Sequence, residues 1–62
     1  MGWLKIYRKK FGITQMELAK RVGISQNFYS MIENEERKPS TKVAQAIARE
    51  LKFNWTLFYP AK

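Results

Sequence analysis

Apolar residues recur along this chain at the spacing of α-helices, and the strict alternation of a β-strand is sustained nowhere. Near the start, Leu4, Tyr7 and Phe11 lie at helical spacing before Gly12, so we expect a first helix that ends near Phe11. The same period returns in several later segments. The pattern therefore predicts an all-α domain.

Capping residues mark the starts of the next two helices. Thr14, with Glu17 three residues later, matches a capping box, in which both side chains satisfy free amide groups of the first turn. Gly23 can adopt the positive φ that ends a helix. Ser25 is the next cap, so a third helix is expected from about Gln26 to Glu33. Two short helices joined by a tight turn are therefore predicted.

The second half of the chain begins with a polar segment, 34–39, that ends in proline and is predicted to be a loop. Ser40 caps a fourth, amphipathic helix, and Asn54 caps a short fifth segment that carries several aromatic residues. The apolar face of the fourth helix comprises Val43, Ala44, Ile47, Ala48 and Leu51. Aromatic residues near both ends, Trp3, Trp55 and Phe58, are expected to close one core. We therefore treat residues 1–62 as a single domain.

The composition argues against catalysis. The chain has 62 residues with no cysteine and no histidine, so disulfides, zinc sites and histidine general bases are missing. We expect no enzyme activity, no metal and no cofactor. The sequence also lacks an apolar run of about 20 residues and a secretory signal, so we expect a cytoplasmic protein without a membrane partner.

The charge points to an anionic partner. Twelve Lys and Arg residues stand against five acidic ones, which gives a formal net charge of +7 at pH 7. Such an excess in a small domain attracts polyanions. The alternative is a cationic surface that serves solubility alone.

Two short helices joined by a tight turn with a glycine form a helix-turn-helix, a unit that lays its second helix in the major groove of DNA. Here the unit would occupy about residues 15–33. The positions that this bend requires to be apolar or small carry suitable residues, namely Leu18, Ala19, Val22, Gly23, Ile24, Tyr29 and Ile32.

The segments GITQMELAKRVGIS and IENEERKPS resemble motifs of the Cro/C1-type (XRE-like) helix-turn-helix family of phage and bacterial repressors. The resemblance runs from about Leu4 to Tyr59, nearly the whole chain. It implies a compact five-helix, lambda-repressor-like, all-α domain. It also implies a transcriptional repressor that binds a roughly palindromic operator on double-stranded DNA as a two-fold dimer.

The resemblance implies roles for individual residues of the helix-turn-helix. Gln26 and Asn27, at the start of the recognition helix, would reach base edges. Ser30 and Met31, one turn further, would face the same groove. Gln15, at the start of the second helix, would hold a phosphate.

The helical geometry explains the mixed chemistry of the recognition helix, because Tyr29 points inward while its polar neighbours point outward. The amides of Gln26 and Asn27 each carry a donor and an acceptor that can pair with adenine N6 and N7, at about 1–3 kcal/mol of discrimination. Phe28 and Met31 are candidates for contact with thymine methyl groups. The alternatives are solvated polar positions for the amides and packing at the rim for Phe28.

Phosphate contacts are expected around the recognition helix. Arg37, Lys38 and Lys42 lie near the start of the fourth helix, where a flexible cation can reach a phosphate. The full set of predicted phosphate contacts is Gln15, Ser25, Asn34, Arg37, Lys38 and Lys42.

Other features follow from comparison with the family pattern. Arg8 and Glu33 match positions that form an internal ion pair in relatives, so we expect a structural role for both. Glu35 and Lys52 stand where the family usually has glycine, so each is expected to need a positive φ at a cost of about 1 kcal/mol. Glu36 adds a second negative charge to a loop that should pass a phosphate.

Rival functions use the same fold. One is a DNA-binding accessory protein of a phage or mobile element. Another is a protein-interaction module that docks on RNA polymerase or a toxin through an acidic edge formed by Glu17, Glu35 and Glu36. A salt titration separates the last from DNA binding, because phosphate binding weakens steeply with salt. Dimerisation is expected to be weak, or to occur only on DNA, and the fifth segment is the candidate surface.

Overall fold

Four α-helices and one 3₁₀-helix make up the regular secondary structure of residues 2–59, the part of the chain that this computed structural model describes. The helices are α1 Gly2–Lys10, α2 Gln15–Val22, α3 Gln26–Glu33 and α4 Thr41–Leu51, followed by the 3₁₀-helix Trp55–Phe58. The predicted all-helical class is confirmed. None of these helices is long and apolar enough to cross a bilayer.

The fifth segment is not an α-helix, so the predicted count of five helices is met only by including a single 3₁₀ turn. The Asn54 side chain accepts hydrogen bonds from both the amide and the hydroxyl of Thr56, at 3.0 and 2.8 Å. A cap that reaches only two residues ahead favours a tight turn. The Tyr59 amide then donates to the Thr56 carbonyl at 2.9 Å and closes that turn.

Phe11 lies one residue beyond the end of α1, and its side chain is exposed instead of completing the apolar face of that helix. The chain turns at this point because Gly12 has a φ of 64°. The Gly12 amide donates to the Lys9 carbonyl at 3.0 Å, which closes the last turn. The turn thus begins before the Phe11 side chain can reach the core.

Side-chain caps define the starts of α2, α3 and α4 as predicted. The hydroxyls of Thr14, Ser25 and Ser40 accept from backbone amides three residues ahead, at 3.1, 3.0 and 3.2 Å. The capping box of α2 is only half formed, because the Glu17 carboxylate lies 3.7 Å from Arg21 on the same exposed face. A cation one turn away therefore competes with the backbone amide for this carboxylate.

One core lies between the helices. Its fully buried large side chains are Leu4, Leu18, Tyr29, Ile32, Ile47 and Leu51. Small Ala19 and Ala44, also buried, let α2 and α4 approach each other closely. At one end the Trp3 ring lies 5.4 Å from that of Phe53 and 5.2 Å from that of Phe58, so residues near both ends of the chain close the core together.

Both residues that replace the expected glycines have a positive φ, 62° for Glu35 and 56° for Lys52. Lys52 is the left-handed C-cap of α4, and its amide donates to the Ala48 carbonyl. The Cβ atom makes this conformation unfavourable for any residue other than glycine. The expected positive φ is therefore present at both positions.

Lys52→Gly should raise the free energy of unfolding by about 0.5–1 kcal/mol, because removing the Cβ strain outweighs the extra freedom of glycine in the unfolded chain. Urea unfolding followed by circular dichroism measures this change. Lys52→Ala is the matched control, since it removes the charge and keeps the Cβ. Equal stability of the glycine and alanine variants would show that the backbone is not strained there.

Candidate nucleic-acid interface

The turn between α2 and α3 has the geometry of a helix-turn-helix. Gly23 has a φ of 86°, and its amide donates to the Ala19 carbonyl at 2.8 Å. The Ile24 amide donates to the same carbonyl at 3.0 Å. A Cβ on Gly23 would meet nothing within 4 Å, so glycine is needed here for its φ and not for space. The tight turn brings α3 against α2.

The two faces of α3 differ in chemistry. Tyr29 and Ile32 are completely buried in the core. Gln26 and Asn27, in the first turn, are exposed, and their side chains make no hydrogen bond to any other described residue. The helix start is therefore fixed by its inner face while two amide groups stay available to a ligand.

The other predicted base contacts lie less openly on α3. Phe28, Ser30 and Met31 are all half-buried, and the Phe28 ring packs against the edge of the core. Each keeps part of its side chain at the surface. Along α3, exposure thus falls from the two exposed amides at its start to the half-buried side chains that follow.

The loop after α3 folds back on that helix. The amides of Glu36 and Arg37 both donate to the Met31 carbonyl, at 2.8 and 3.3 Å. The Arg37 backbone therefore lies beside the last turn of α3, with its side chain exposed. At the far end of the loop, the Tyr59 hydroxyl donates to the Pro39 carbonyl and fixes the approach to α4.

The predicted phosphate contacts surround α3 along the chain, at the start of α2, at both ends of α3 and around the start of α4. Gln15 is half-buried, whereas the other five are exposed, namely Ser25, Asn34, Arg37, Lys38 and Lys42. The Ser25 hydroxyl also caps α3, and the Asn34 amide closes the same helix by donating to the Ser30 carbonyl. Both residues thus have a structural task whatever else they contact.

A buried ion pair joins α1 to the end of α3. The Arg8 Nε donates to Glu33 Oε2 at 2.7 Å, and the two residues are 8% and 6% exposed. The Tyr29 hydroxyl donates to the same oxygen at 2.7 Å, and the Gln15 amide donates to Oε1 at 2.9 Å. Arg8 Nη1 donates to the Ile13 carbonyl at 2.8 Å. One carboxylate thus connects α1, α2 and α3.

A helix-turn-helix family model matches residues 4–58, which is most of the chain. The chain belongs to this helix-turn-helix family. This membership confirms the resemblance to XRE-like regulators that was based on the two sequence motifs. No solved structure matches the chain.

Several relatives of this helix-turn-helix protein are described as transcriptional regulators. It is 47% identical over 57 residues to YqaF, an uncharacterized HTH-type transcriptional regulator of Bacillus subtilis (strain 168). The matched segment covers 92% of this chain and 75% of the relative. It is 46% identical over 46 residues to such a regulator of Archaeoglobus fulgidus, covering 74% of this chain and 65% of the relative. A regulator of Methanothermobacter thermautotrophicus is 40% identical over 48 residues, covering 77% of this chain and 70% of the relative.

Two members of the buried network in this helix-turn-helix protein were not predicted from the sequence. Tyr29 was expected to pack inward, but its hydroxyl bond to Glu33 was not expected. The available signal was the spacing of four residues, which puts both side chains on one face of α3. The sequence predicts a phosphate contact for Gln15. It does not predict the bond from Gln15 to Glu33, because that bond depends on the distance between α2 and α3.

The network sets the charge states of its members. Burial alone would raise the pKa of Glu33, but hydrogen bonds from Arg8, Tyr29 and Gln15 outweigh burial and lower that pKa. The hydrogen bond to Glu33 raises the pKa of Arg8. Burial, together with the hydrogen bond to Glu33, raises the pKa of Tyr29. At neutral pH the three groups are therefore a carboxylate, a guanidinium and a protonated phenol.

No group of three or more acidic, histidine or cysteine side chains within residues 2–59 is arranged to hold a metal ion. The exposed side chains on and around α3 supply hydrogen-bonding amides and hydroxyls together with cations.

The stability of the domain should fall in acid through protonation of Glu33. Because the pKa of Glu33 is lower in the folded chain, its contribution is complete above the unfolded value of about 4.3 and is lost as pH falls through the folded value. Urea unfolding at 10 °C between pH 7 and pH 2.5 measures the loss. Glu33→Gln should be less stable at pH 7 by about 2 kcal/mol or more, because Arg8 loses a buried anionic partner, and its stability should fall less in acid.

Glu17→Gln, which removes an exposed carboxylate, is the matched control for this experiment. It should keep most of the acid-dependent loss of the wild type. Parallel pH curves for the wild type and Glu33→Gln would contradict the assignment to Glu33.

Proposed function

We propose that this protein is a sequence-specific, double-stranded DNA-binding transcriptional regulator that acts as a repressor. One observation carries the proposal: Gln26 and Asn27 are exposed at the start of a helix whose opposite face is buried in the core. Membership in the helix-turn-helix family and the formal charge of +7 support the same conclusion.

In this proposal α3 lies in the major groove, with Gln26 and Asn27 paired to adenine edges. Met31 and Phe28 supply apolar contact to thymine methyl groups. Ser30 adds a hydroxyl that can donate or accept toward a base. The first turn of α3 then reads most of the sequence, because its side chains project furthest from the core.

The proposed phosphate contacts position α3 without reading bases. Arg37, Lys38 and Lys42 follow the last turn of α3 and lead into α4, so they would meet the strand on one side of the groove. Gln15 and Ser25 would meet phosphates from the starts of α2 and α3, and Asn34 from the end of α3. Every contact with a DNA phosphate adds affinity. Only the contacts made by Arg37, Lys38 and Lys42, which are cations, weaken with salt.

The acidic edge gives less support to the rival protein-interaction function. The Glu17 carboxylate lies 3.7 Å from Arg21, and Arg21 also lies 3.5 Å from Glu50 on α4. Of the three residues of that edge, Glu17 is thus paired on the surface with an arginine that also meets Glu50. A partner that sought negative charge would find it partly neutralised.

Gln26→Ala and Asn27→Ala should each lose preference at particular base pairs while keeping the fold and salt-sensitive binding to arbitrary duplexes, because the lost contacts are to bases. Selection of bound duplexes from a random pool gives the preference of each variant. Gln45→Ala, an exposed glutamine on α4, is the matched control and should select the wild-type site. If both variants of α3 select the wild-type site unchanged, α3 is not the recognition helix.

Specificity in this proposal needs two copies of the domain. A helix of about two turns touches few base pairs, so two copies on half-sites about 34 Å apart would read an inverted repeat. The 3₁₀-helix and the residue that follows it are the proposed dimer contact, because Leu57 and Tyr59 are 45% and 39% exposed. This patch is small, so the dimer would be weak away from DNA.

Sedimentation should therefore show a monomer at micromolar concentration and two protomers on a duplex that contains the complete selected repeat. The control duplex has one half of the repeat scrambled and should bind with clearly lower affinity. Saturation by one protomer, with undiminished affinity for the scrambled duplex, would instead support a monomeric accessory protein of a phage or mobile element.

A further inference from the structure

Glu33 connects the buried core to a residue at the proposed DNA surface. One of its oxygens, Oε2, is held by Arg8 and Tyr29, both of which lie on the core side. The other oxygen, Oε1, accepts from the side-chain amide of Gln15, the first residue of α2. Because the carboxylate is planar and is attached to α3, two hydrogen bonds to Oε2 restrict the directions that Oε1 can take.

We propose that Tyr29 and Glu33 are positioning residues that hold the Gln15 side chain in the orientation in which it contacts a DNA phosphate. The inference rests on the proposed DNA binding. It goes further, because it assigns a part in binding to two buried residues that never touch the DNA.

The hydrogen-bonding capacity of Gln15 permits this arrangement. Its amide nitrogen carries two hydrogens, of which one is directed at Glu33 Oε1. The second hydrogen lies in the same amide plane, so its direction is set once the first is bound. Because Gln15 is half-buried, part of its side chain is accessible, and the second hydrogen is the donor that remains for a ligand. The free amide groups at the start of α2 also favour an anion.

Orientation before binding improves affinity, because a free glutamine side chain loses rotamer freedom when it is ordered by a ligand. In this domain the Gln15 side chain already loses that rotamer freedom on folding, when it binds Glu33. Arg8 adds a second condition, since its positive charge balances that of Glu33 at 2.7 Å. The carboxylate can therefore lie behind Gln15 without repelling the phosphate that Gln15 contacts.

Tyr29→Phe is the sharpest probe, because it removes one hydrogen bond to Glu33 and keeps the charges and the buried ring. Tyr7→Phe is the matched control, since Tyr7 is a half-buried tyrosine on α1 that makes ring contacts with Trp3 and Phe53. Affinity is measured by fluorescence anisotropy on the duplex obtained from the selection, at a temperature where circular dichroism shows every variant folded.

The expected result is a non-additive double-mutant cycle. Tyr29→Phe should bind the duplex roughly three- to ten-fold more weakly than the wild type, which is a typical coupling for residues in one hydrogen-bond network. In a Gln15→Ala background the same substitution should change affinity less than about two-fold. Tyr7→Phe should bind like the wild type. The salt dependence should stay unchanged throughout, because no charge is removed.

A readout without DNA tests the positioning directly. The side-chain amide signals of Gln15 in a proton–nitrogen correlation spectrum should shift in Tyr29→Phe and stay in place in Tyr7→Phe. Unchanged Gln15 signals in Tyr29→Phe would overturn the inference, as would an equal loss of affinity with and without Gln15. Failure of the wild type to bind any duplex would overturn the proposed function as well, whereas wild-type binding with an additive cycle would overturn the positioning alone.

Discussion

Burying the Glu33 carboxylate is unfavourable by itself, since an ionised group taken out of water costs several kcal/mol. The domain compensates with an arginine, a phenol and an amide that donate to it from three different helices. The buried donors among them, Arg8 and Tyr29, would in turn lose a partner if the carboxylate were absent. The packing of α1, α2 and α3 therefore depends on one side chain, and in a chain of 62 residues the apolar core is too small to make that dependence negligible.

The outer face of α3 is ordered because the inner face of that helix is part of this core. An isolated helix of eight residues, the length of α3, is not stable in water, so α3 exists because its inner face is held. Tyr29 and Ile32 supply the apolar part of that hold, and Glu33 supplies the polar part. The outer residues Gln26 and Asn27 contribute almost nothing to it. Their identity can therefore change while the fold stays the same.

The sequence predicted the features that depend on local chemistry. Gly23 and Lys52 adopt the positive φ expected of them because both are left-handed C-caps, whose amides close the last turn of their own helices. Features in which one local preference overrides another were missed. Phe11 has helical spacing, but Gly12 turns the chain first, and Glu17 pairs with Arg21 instead of a backbone amide. The Tyr29 hydroxyl binds the carboxylate one turn ahead on the same helix, which the inward packing of its ring did not by itself indicate. The outward direction of the α3 amides was predictable, whereas the network behind Gln15 was not, because it needs the distance between α2 and α3.

The meeting of Trp3 with Phe53 and Phe58 has a consequence for the time course of biosynthesis. Phe53 and Phe58, the partners of the Trp3 indole, are synthesised long after it, and Tyr59, whose hydroxyl donates to the Pro39 carbonyl, follows them. At typical translation rates of about 5–20 residues per second, Trp3 waits for Phe58 for roughly 3–11 s. During that interval the nascent segment carries the helix-turn-helix without its closing aromatic layer, so the fold of this domain is completed only after Phe58 has emerged from the ribosome.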